Sequence, residues 1–139
     1  MAITAADVNK LRKQTGAGMM DCKKALVETD GDFDAAVDVL RKKGQKVAAK
    51  RGENEAKEGV IFAQTTEDGK SGVVVKLNCE TDFVAKNDDF RNFVQSIVDV
   101  AIASLPESAD ALLALPYDEK LSVGEKITEQ IGVVGEKLE

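Results

Sequence analysis

Residues 59–79, GVIFAQTTEDGKSGVVVKLNC, are the stretch in which strand periodicity replaces helical periodicity. Its two ends are rich in Val, Ile, Thr and Phe, which fit the pleated and half-buried surface of a sheet. Between them, residues 67–71 form a short polar segment with an Asp-Gly pair, which is typical of a hairpin turn. The stretch therefore predicts an antiparallel β-hairpin formed by residues 59–66 and 72–79.

The segment after the hairpin carries the most regular helical pattern in the chain. Asn87 is a suitable N-cap, and Pro106 would end a helix that starts there. The apolar side chains between them share one helical face: Phe90, Phe93, Val94, Ile97, Val98, Ala101 and Ile102. We expect this helix to lie across the hairpin, which makes the fold class α+β. Shorter helices are predicted over residues 108–115 and from about Ser122 onwards.

The first 44 residues predict three short helices separated by glycines. Thr4 and Asp7 have the spacing of a capping box and predict a first helix over residues 5–14. A second helix is predicted over residues 19–29, and a third over residues 33–44, whose final glycine is expected to end it. Together they would form a small three-helix bundle.

The net charge of −6 hides a difference between two parts of the chain. Residues 1–52 hold 11 basic and 7 acidic side chains, whereas residues 53–139 hold 8 basic and 18 acidic ones. This asymmetry predicts two domains. The first is a three-helix domain with a helical linker over residues 1–52, and the second is an α+β domain over residues 53–139.

A cluster of basic side chains lies at the end of the first domain without an intervening acid: Arg41, Lys42, Lys43, Lys46, Lys50 and Arg51. Such a cluster attracts phosphate and leaves nucleic-acid binding open as an alternative. The segment has no aromatic side chain for base stacking, and the acidic remainder of the chain would repel a polyanion. We therefore favour a solvated helix end and expect no nucleic-acid partner.

The side-chain chemistry of the chain argues against an enzyme. The absence of His excludes Ser-His-Asp triads and His metal sites, and two Cys are too few for a four-thiolate zinc site. Cys22 and Cys79 both fall on apolar faces and are interpreted as buried, unreactive thiols. No glycine-rich phosphate loop is present, so we expect no catalytic residue, metal site or cofactor. The sequence also lacks a membrane-spanning apolar segment and a secretory leader, so we expect a cytoplasmic protein without a membrane partner.

Two pairs of residues are not explained by packing alone. Met19 and Met20 are adjacent at a predicted helix start, where neighbouring side chains point about 100° apart. Either one of them is available to a partner, for which a flexible thioether is well suited, or both fill a loose core. Phe83 follows Asp82 between a strand and a helix, where its ring either packs into the chain's own core or projects as an apolar wedge.

Longer motifs around these two pairs resemble the translation elongation factor Ts family. The motifs are residues 15–26 (TGAGMMDCKKAL) and 78–86 (NCETDFVAK), supported by residues 59–61 and 131–136. The resemblance covers the whole chain and implies a guanine nucleotide exchange factor for elongation factor Tu. It implies that the helical bundle is similar to a ubiquitin-associated domain and that residues 53–139 form the first core subdomain. Because family members continue with a further strand and a second subdomain, we expect this chain to be the N-terminal half, truncated at its C-terminus, and not to dimerise.

The resemblance also implies roles for individual residues. Those implied to contact elongation factor Tu are Arg12, Met19, Met20, Val134 and Gly135, the last two standing where the family has Ile-Gly. Asp82 and Phe83 are implied to insert next to the Mg²⁺ site of that GTPase, which would itself hold GDP and Mg²⁺. The alternative is a ubiquitin-associated-type adaptor that binds a protein partner without promoting exchange.

Overall fold

The structure is a computed structural model that describes residues 2–139. In this part of the chain, helices accompany one two-stranded antiparallel sheet, which confirms the α+β class. The elements in chain order are α1 (Ala5–Thr15), α2 (Met19–Glu28), α3 (Phe33–Arg51), β1 (Glu58–Thr65), β2 (Gly72–Cys79), α4 (Asp82–Ala85), α5 (Asp88–Ser104), α6 (Ala109–Ala114) and α7 (Val123–Val134).

The described residues form two compact units. Unit 1 extends to Arg51 and also includes Thr128–Gly135, whereas unit 2 consists of Gly52–Ile127 and Glu136–Glu139. The division after Arg51 lies next to the predicted one, but the last turns of α7 belong to unit 1 rather than to the domain expected over residues 53–139. Local sequence patterns do not show this, because these turns pack with helices that come much earlier in the chain.

The helices α1–α3 of unit 1 form around a common core. Thr4 Oγ1 accepts a hydrogen bond from the Asp7 N–H at 3.2 Å, and Asp7 Oδ2 accepts one from the Thr4 N–H at 3.0 Å, so the predicted capping box is confirmed. Gly16 ends α1 with a left-handed φ of 74°, a conformation that glycine adopts without strain. The buried core side chains are Val8, Leu11, Ala17, Cys22, Ala25, Leu26, Ala36, Val37 and Leu40.

Helix α3 corrects one prediction, because it continues past Gly44 to Arg51. Gly44 is buried in the middle of the helix. A Cβ atom at Gly44 would lie 2.7 Å from the Thr128 carbonyl oxygen, and one at Gly132 would lie 2.7 Å from the Gly44 Cα. The two glycines therefore let the backbones of α3 and the end of α7 touch, and Gly44 serves this close approach instead of ending the helix.

In unit 2, β1 and β2 form the predicted hairpin. Antiparallel pairing places Val60 opposite Leu77 and Phe62 opposite Val75, and α5 contacts both strands. Val60, Val75 and Leu77 are buried on this covered face. The other face of the hairpin is open, and Val74 is 73% exposed on it.

Helix α5 begins at the predicted N-cap. Asn87 Oδ1 accepts hydrogen bonds from the Asp89 N–H at 2.9 Å and the Phe90 N–H at 3.3 Å. The helix ends at Ser104, before Leu105, whose φ of 48° is left-handed. Its buried face confirms the predicted one except at Ile102, which is half-buried: the buried residues are Phe90, Phe93, Val94, Ile97, Val98 and Ala101.

Candidate functional site

The first candidate surface lies at the start of α2 in unit 1. Met19 and Met20 are 47% and 61% exposed, so the alternative in which both fill a core is wrong. Further along α2, Cys22, Ala25 and Leu26 are buried in the core of the unit. The helix is thus anchored by its later residues, while its first turn offers two flexible thioethers to a partner.

The turn before α2 is held by the hydroxyl group of Thr15. Thr15 Oγ1 donates to the Leu11 carbonyl at 2.9 Å and accepts from the Ala17 N–H at 3.2 Å. The Arg12 side chain is exposed in the last turn of α1, which this turn follows. Arg12 and the two methionines therefore flank one internally bonded turn, and we call these three residues the docking surface.

Val27 is a further exposed apolar residue on α2 that sequence analysis did not single out. It is 57% exposed and lies about two helical turns after Met20, on the same face. The spacing between these two apolar residues was the signal available in the sequence. Val27 extends the apolar area beside the docking surface.

The second candidate surface is the turn between β2 and α5 in unit 2. Helix α4 begins there after its N-cap Thr81, whose Oγ1 accepts a hydrogen bond from the Val84 N–H at 3.4 Å. Phe83 is 83% exposed, so the alternative in which its ring packs into the chain's own core is wrong. We call Asp82 and Phe83 the wedge pair.

Asp82 is paired with Lys86, one helical turn later. Lys86 Nζ donates to Asp82 Oδ2 at 3.0 Å. This hydrogen bond, together with the positive charge of Lys86, holds the pKa of the Asp82 carboxyl below its usual value. At neutral pH the wedge pair therefore presents an ionised carboxylate beside an exposed ring.

The base of this turn is tied to Glu136. Glu136 Oε1 accepts from the N–H groups of Glu80 and Thr81 at 3.0 Å each, and its Oε2 accepts from Thr81 Oγ1 at 2.7 Å. Glu80 Oε1 accepts in turn from the Lys137 N–H at 2.7 Å. No role for Glu136 could be predicted from the sequence, because hydrogen-bond partners so far apart in the chain leave no local pattern.

Val134 and Gly135 lie at the end of α7 in unit 1, and both are half-buried. Gly135 has a left-handed φ of 76°, and its N–H donates to the Ile131 carbonyl at 2.8 Å, which ends the helix. The structure thus places the docking surface, Val134 and Gly135 in unit 1, and the wedge pair in unit 2.

Both thiols of the chain are inaccessible. Cys22 and Cys79 are fully buried, and this burial raises the pKa of each thiol. Among residues 2–139, no group of three or more His, Cys, Asp or Glu side chains could hold a metal ion. Within the same residues, no helix combines the length and the apolar character needed to cross a membrane.

The basic cluster of residues 41–51 lies on α3, where some of its charges are paired within unit 1. Arg41 Nη1 lies 3.3 Å from Asp38 Oδ1, and Lys43 Nζ lies 2.5 Å from Asp21 Oδ2. These pairs lower the charge that the cluster offers to phosphate, which favours the interpretation as a solvated helix face.

Comparison with known proteins gives one consistent result. Residues 80–139 match the family described as Elongation factor TS. This match includes the wedge pair, Glu136 and the two residues at the end of α7.

The whole chain is also similar to curated proteins named Elongation factor Ts. It is 57% identical over 137 residues to the one from Christiangramia forsetii, an alignment that covers 99% of this chain and 49% of that protein. It is 53% identical over 136 residues to the one from Cytophaga hutchinsonii, covering 98% and 49%, respectively. It is 51% identical over 140 residues to the one from Chloroherpeton thalassium, covering 99% and 48%. The chain therefore spans about half the length of the curated relatives it matches.

Proposed function

The chain belongs to the elongation factor Ts family over the part of those proteins that it spans, and from this we propose that it promotes the release of GDP from elongation factor Tu during translation elongation. The observation that supports the proposal most strongly is the wedge pair. An aromatic ring that is 83% exposed beside an ionised carboxylate adds nothing to the core of its own unit, but it suits insertion between elements of a partner.

In the proposed mechanism, the chain distorts the coordination geometry of the partner's magnesium site. Mg²⁺ needs near-ideal octahedral coordination, which it completes with protein ligands and nucleotide phosphates. Phe83 and Asp82 enter beside this site and displace the helix that supports it, so the metal is misplaced and GDP loosens. GDP and Mg²⁺ both belong to the partner, and no covalent step takes place on this chain.

The energetics follow from linkage. Elongation factor Tu without nucleotide binds the chain more tightly than its GDP form does, and GDP consequently weakens the binding of the chain by the same factor. The docking surface supplies affinity that does not depend on the nucleotide, with Val134 and Gly135 as a further contact. We expect the chain to act in the cytoplasm, where translation elongation takes place.

A second candidate function is favoured by one observation. Met19, Met20 and Val27 form an exposed apolar area on a three-helix bundle, which is sufficient for a ubiquitin-associated-type adaptor that only binds its partner. In that case the wedge pair would have no effect on nucleotide release.

Nucleotide release from elongation factor Tu separates the two candidates. The GTPase is loaded with a fluorescent GDP analogue and chased with excess GDP, with and without micromolar amounts of the 139-residue chain. We expect the chain to accelerate release and a Phe83→Ala variant to lose most of the acceleration. Val74→Ala is the matched control, because it removes an exposed apolar side chain elsewhere in unit 2. This variant should accelerate GDP release from the GTPase as much as the parent chain does. Binding without acceleration would support the adaptor and refute the exchange function.

A further inference from the structure

The wedge pair lies on a helix that is too short to hold its own conformation. Helix α4 has 4 residues, and isolated helices several times longer are marginal in water. The Phe83 ring, being 83% exposed, makes too little contact with its own unit to fix its direction. The direction in which the ring projects must therefore be set by the backbone around α4.

On the N-terminal side of α4, one carboxylate accepts three hydrogen bonds, two from backbone N–H groups and one from a side-chain hydroxyl. The N–H groups of Glu80 and Thr81 both donate to Glu136 Oε1 at 3.0 Å. The Thr81 hydroxyl has one proton, which it donates to Glu136 Oε2 at 2.7 Å, so its lone pairs face the Val84 N–H at 3.4 Å. Glu136 thus both holds the residues before the wedge pair and orients the N-cap of α4.

The segment that carries Glu136 is itself fixed to the end of β2. The Asn78 N–H donates to the Glu139 carbonyl at 2.8 Å, and the Glu139 N–H donates to the Asn78 carbonyl at 3.1 Å. The Lys137 N–H donates to Glu80 Oε1 at 2.7 Å. The Glu136 side chain therefore accepts from the backbone at Glu80, and the Glu80 side chain accepts from the backbone next to Glu136. These bonds fix the position of the Glu136 carboxylate relative to the end of β2.

We propose that Glu136 is a positioning residue, whose carboxylate holds Glu80 and Thr81 so that Asp82 and Phe83 project in one fixed direction. The inference rests on the proposed function. A ring held in one direction transmits a displacement to the partner, whereas a ring on a loose turn yields and leaves the partner's helix in place. Fixing the turn beforehand also removes the entropy cost of ordering it on binding.

Three variants separate this role from general stability. Glu136→Ala removes all three hydrogen bonds. Glu136→Gln keeps a carbonyl oxygen for the two N–H groups but places an amide NH₂ against the Thr81 hydroxyl. Glu139→Ala is the matched control, because it removes a carboxylate from the same segment. The Glu139 side chain is 67% exposed, and its Oε2 lies 3.8 Å from Lys137 Nζ.

The first measurement needs no partner. Amide hydrogen exchange of Glu80, Thr81 and Val84 is followed by NMR in each variant. Loss of one hydrogen bond to a charged group changes an equilibrium by roughly tenfold, so we expect exchange about tenfold faster or more in Glu136→Ala. Glu136→Gln should lie between Glu136→Ala and the parent, and Glu139→Ala should match the parent. Parent-like exchange at these amides in Glu136→Ala would overturn the proposal.

The second measurement is GDP release from elongation factor Tu at increasing concentrations of each variant. We expect the maximal rate to fall about tenfold in Glu136→Ala, while the concentration for half-maximal effect changes by less than about threefold, because the docking surface is intact. Glu136→Gln should recover part of the rate. A lower affinity with an unchanged maximal rate would overturn the positioning role.

The Phe83→Ala variant and the parent chain together distinguish a failure of this inference from a failure of the proposed function. If Phe83→Ala slows release and Glu136→Ala does not, the wedge is real and Glu136 does not position it. If Phe83→Ala accelerates release as much as the parent does, the wedge assignment is refuted, and with it the purpose assigned to Glu136. If the parent chain itself binds without accelerating release, the proposed exchange function is refuted, whatever the amide exchange shows.

Discussion

Replacing Gly44 by alanine is expected to destabilise unit 1, although alanine favours helices more strongly than glycine does. At a solvent-exposed position in a helix, replacing glycine by alanine stabilises the helix by about 0.8–1 kcal/mol. The sign of the change in the free energy of unfolding therefore tests whether Gly44 is closely packed. Gly44 is buried in α3, and an added Cβ would lie 2.7 Å from the carbonyl oxygen of Thr128. Such a separation is shorter than real Cβ contacts, and the obstacle is backbone that cannot rotate away as a side chain would.

The expected magnitude follows from the displacement that restores a normal contact. The two backbones have to separate by about 0.7 Å, and a gap of that size forfeits a quarter to a half of each van der Waals contact nearby. Overpacking of this kind typically costs about 1–3 kcal/mol, towards the upper end for a backbone clash. After the gain in helix propensity, we expect Gly44→Ala to lower the free energy of unfolding by about 1–2 kcal/mol.

The assay is urea unfolding followed by far-ultraviolet circular dichroism, which reports the helices of both units, those of unit 1 included. Gln45→Ala is the matched control, because Gln45 is the exposed neighbour in the same helix and should change stability by less than about 0.5 kcal/mol. Gly132→Ala meets the same contact from the other side, so the double variant should deviate from additivity by at least about 0.5 kcal/mol. A Gly44→Ala chain as stable as the parent, or more stable, would refute the close approach of α3 and the end of α7.

Two further predictions concern the docking surface and the thiols. Met20→Ala and Met19→Ala should each weaken binding to elongation factor Tu by roughly 1–2 kcal/mol while leaving the unfolding curve unchanged. Complete burial of a Met side chain gains about 1.5–3 kcal/mol, and these two are already partly buried. Unchanged affinity in titration calorimetry would remove these residues from the interface. Cys22 and Cys79 should react with a thiol reagent only as fast as the chain unfolds, because both thiols are fully buried and meet the reagent only when their surroundings open. Burial also raises the pKa of both thiols. The same shift means that the unfolded chain loses these protons first as the pH rises, so the free energy of unfolding should fall above about pH 8.5. The control is a double variant with Cys22→Ala and Cys79→Ala. If the free energy of unfolding rises with pH in this range in the parent but not in the double variant, the raised pKa of the two thiols is contradicted.

The elements that could be predicted from the sequence are those whose causes are local. The hairpin follows from strand-forming residues around an Asp-Gly turn, and α5 follows from Asn87 and an unbroken apolar face. The capping box of Thr4 and Asp7 was equally visible, because its partners are three residues apart. In each case the residues that stabilise the element lie within it or next to it.

The features that could not be predicted depend on residues far away in the chain. Gly44 has the appearance of a helix stop, and only its contact with Thr128 and Gly132 shows why the helix continues. The sequence raised exposure of Phe83 as one of two alternatives, but the choice depends on whether the core has room for the ring. The hydrogen bonds of Glu136 to Thr81 cross more than fifty positions and are set by the fold as a whole.

The composition of unit 1 has a consequence for the order in which the chain is made. Its first three helices end at Arg51, yet the residues that complete it are Thr128–Gly135. Because a ribosome adds residues in sequence and domains fold as units, α3 is synthesised well before the backbone that covers Gly44 exists. Throughout that interval the glycine is open to water. Unit 1, although it begins the chain, therefore reaches its final packing only when nearly all of the described residues have left the ribosome.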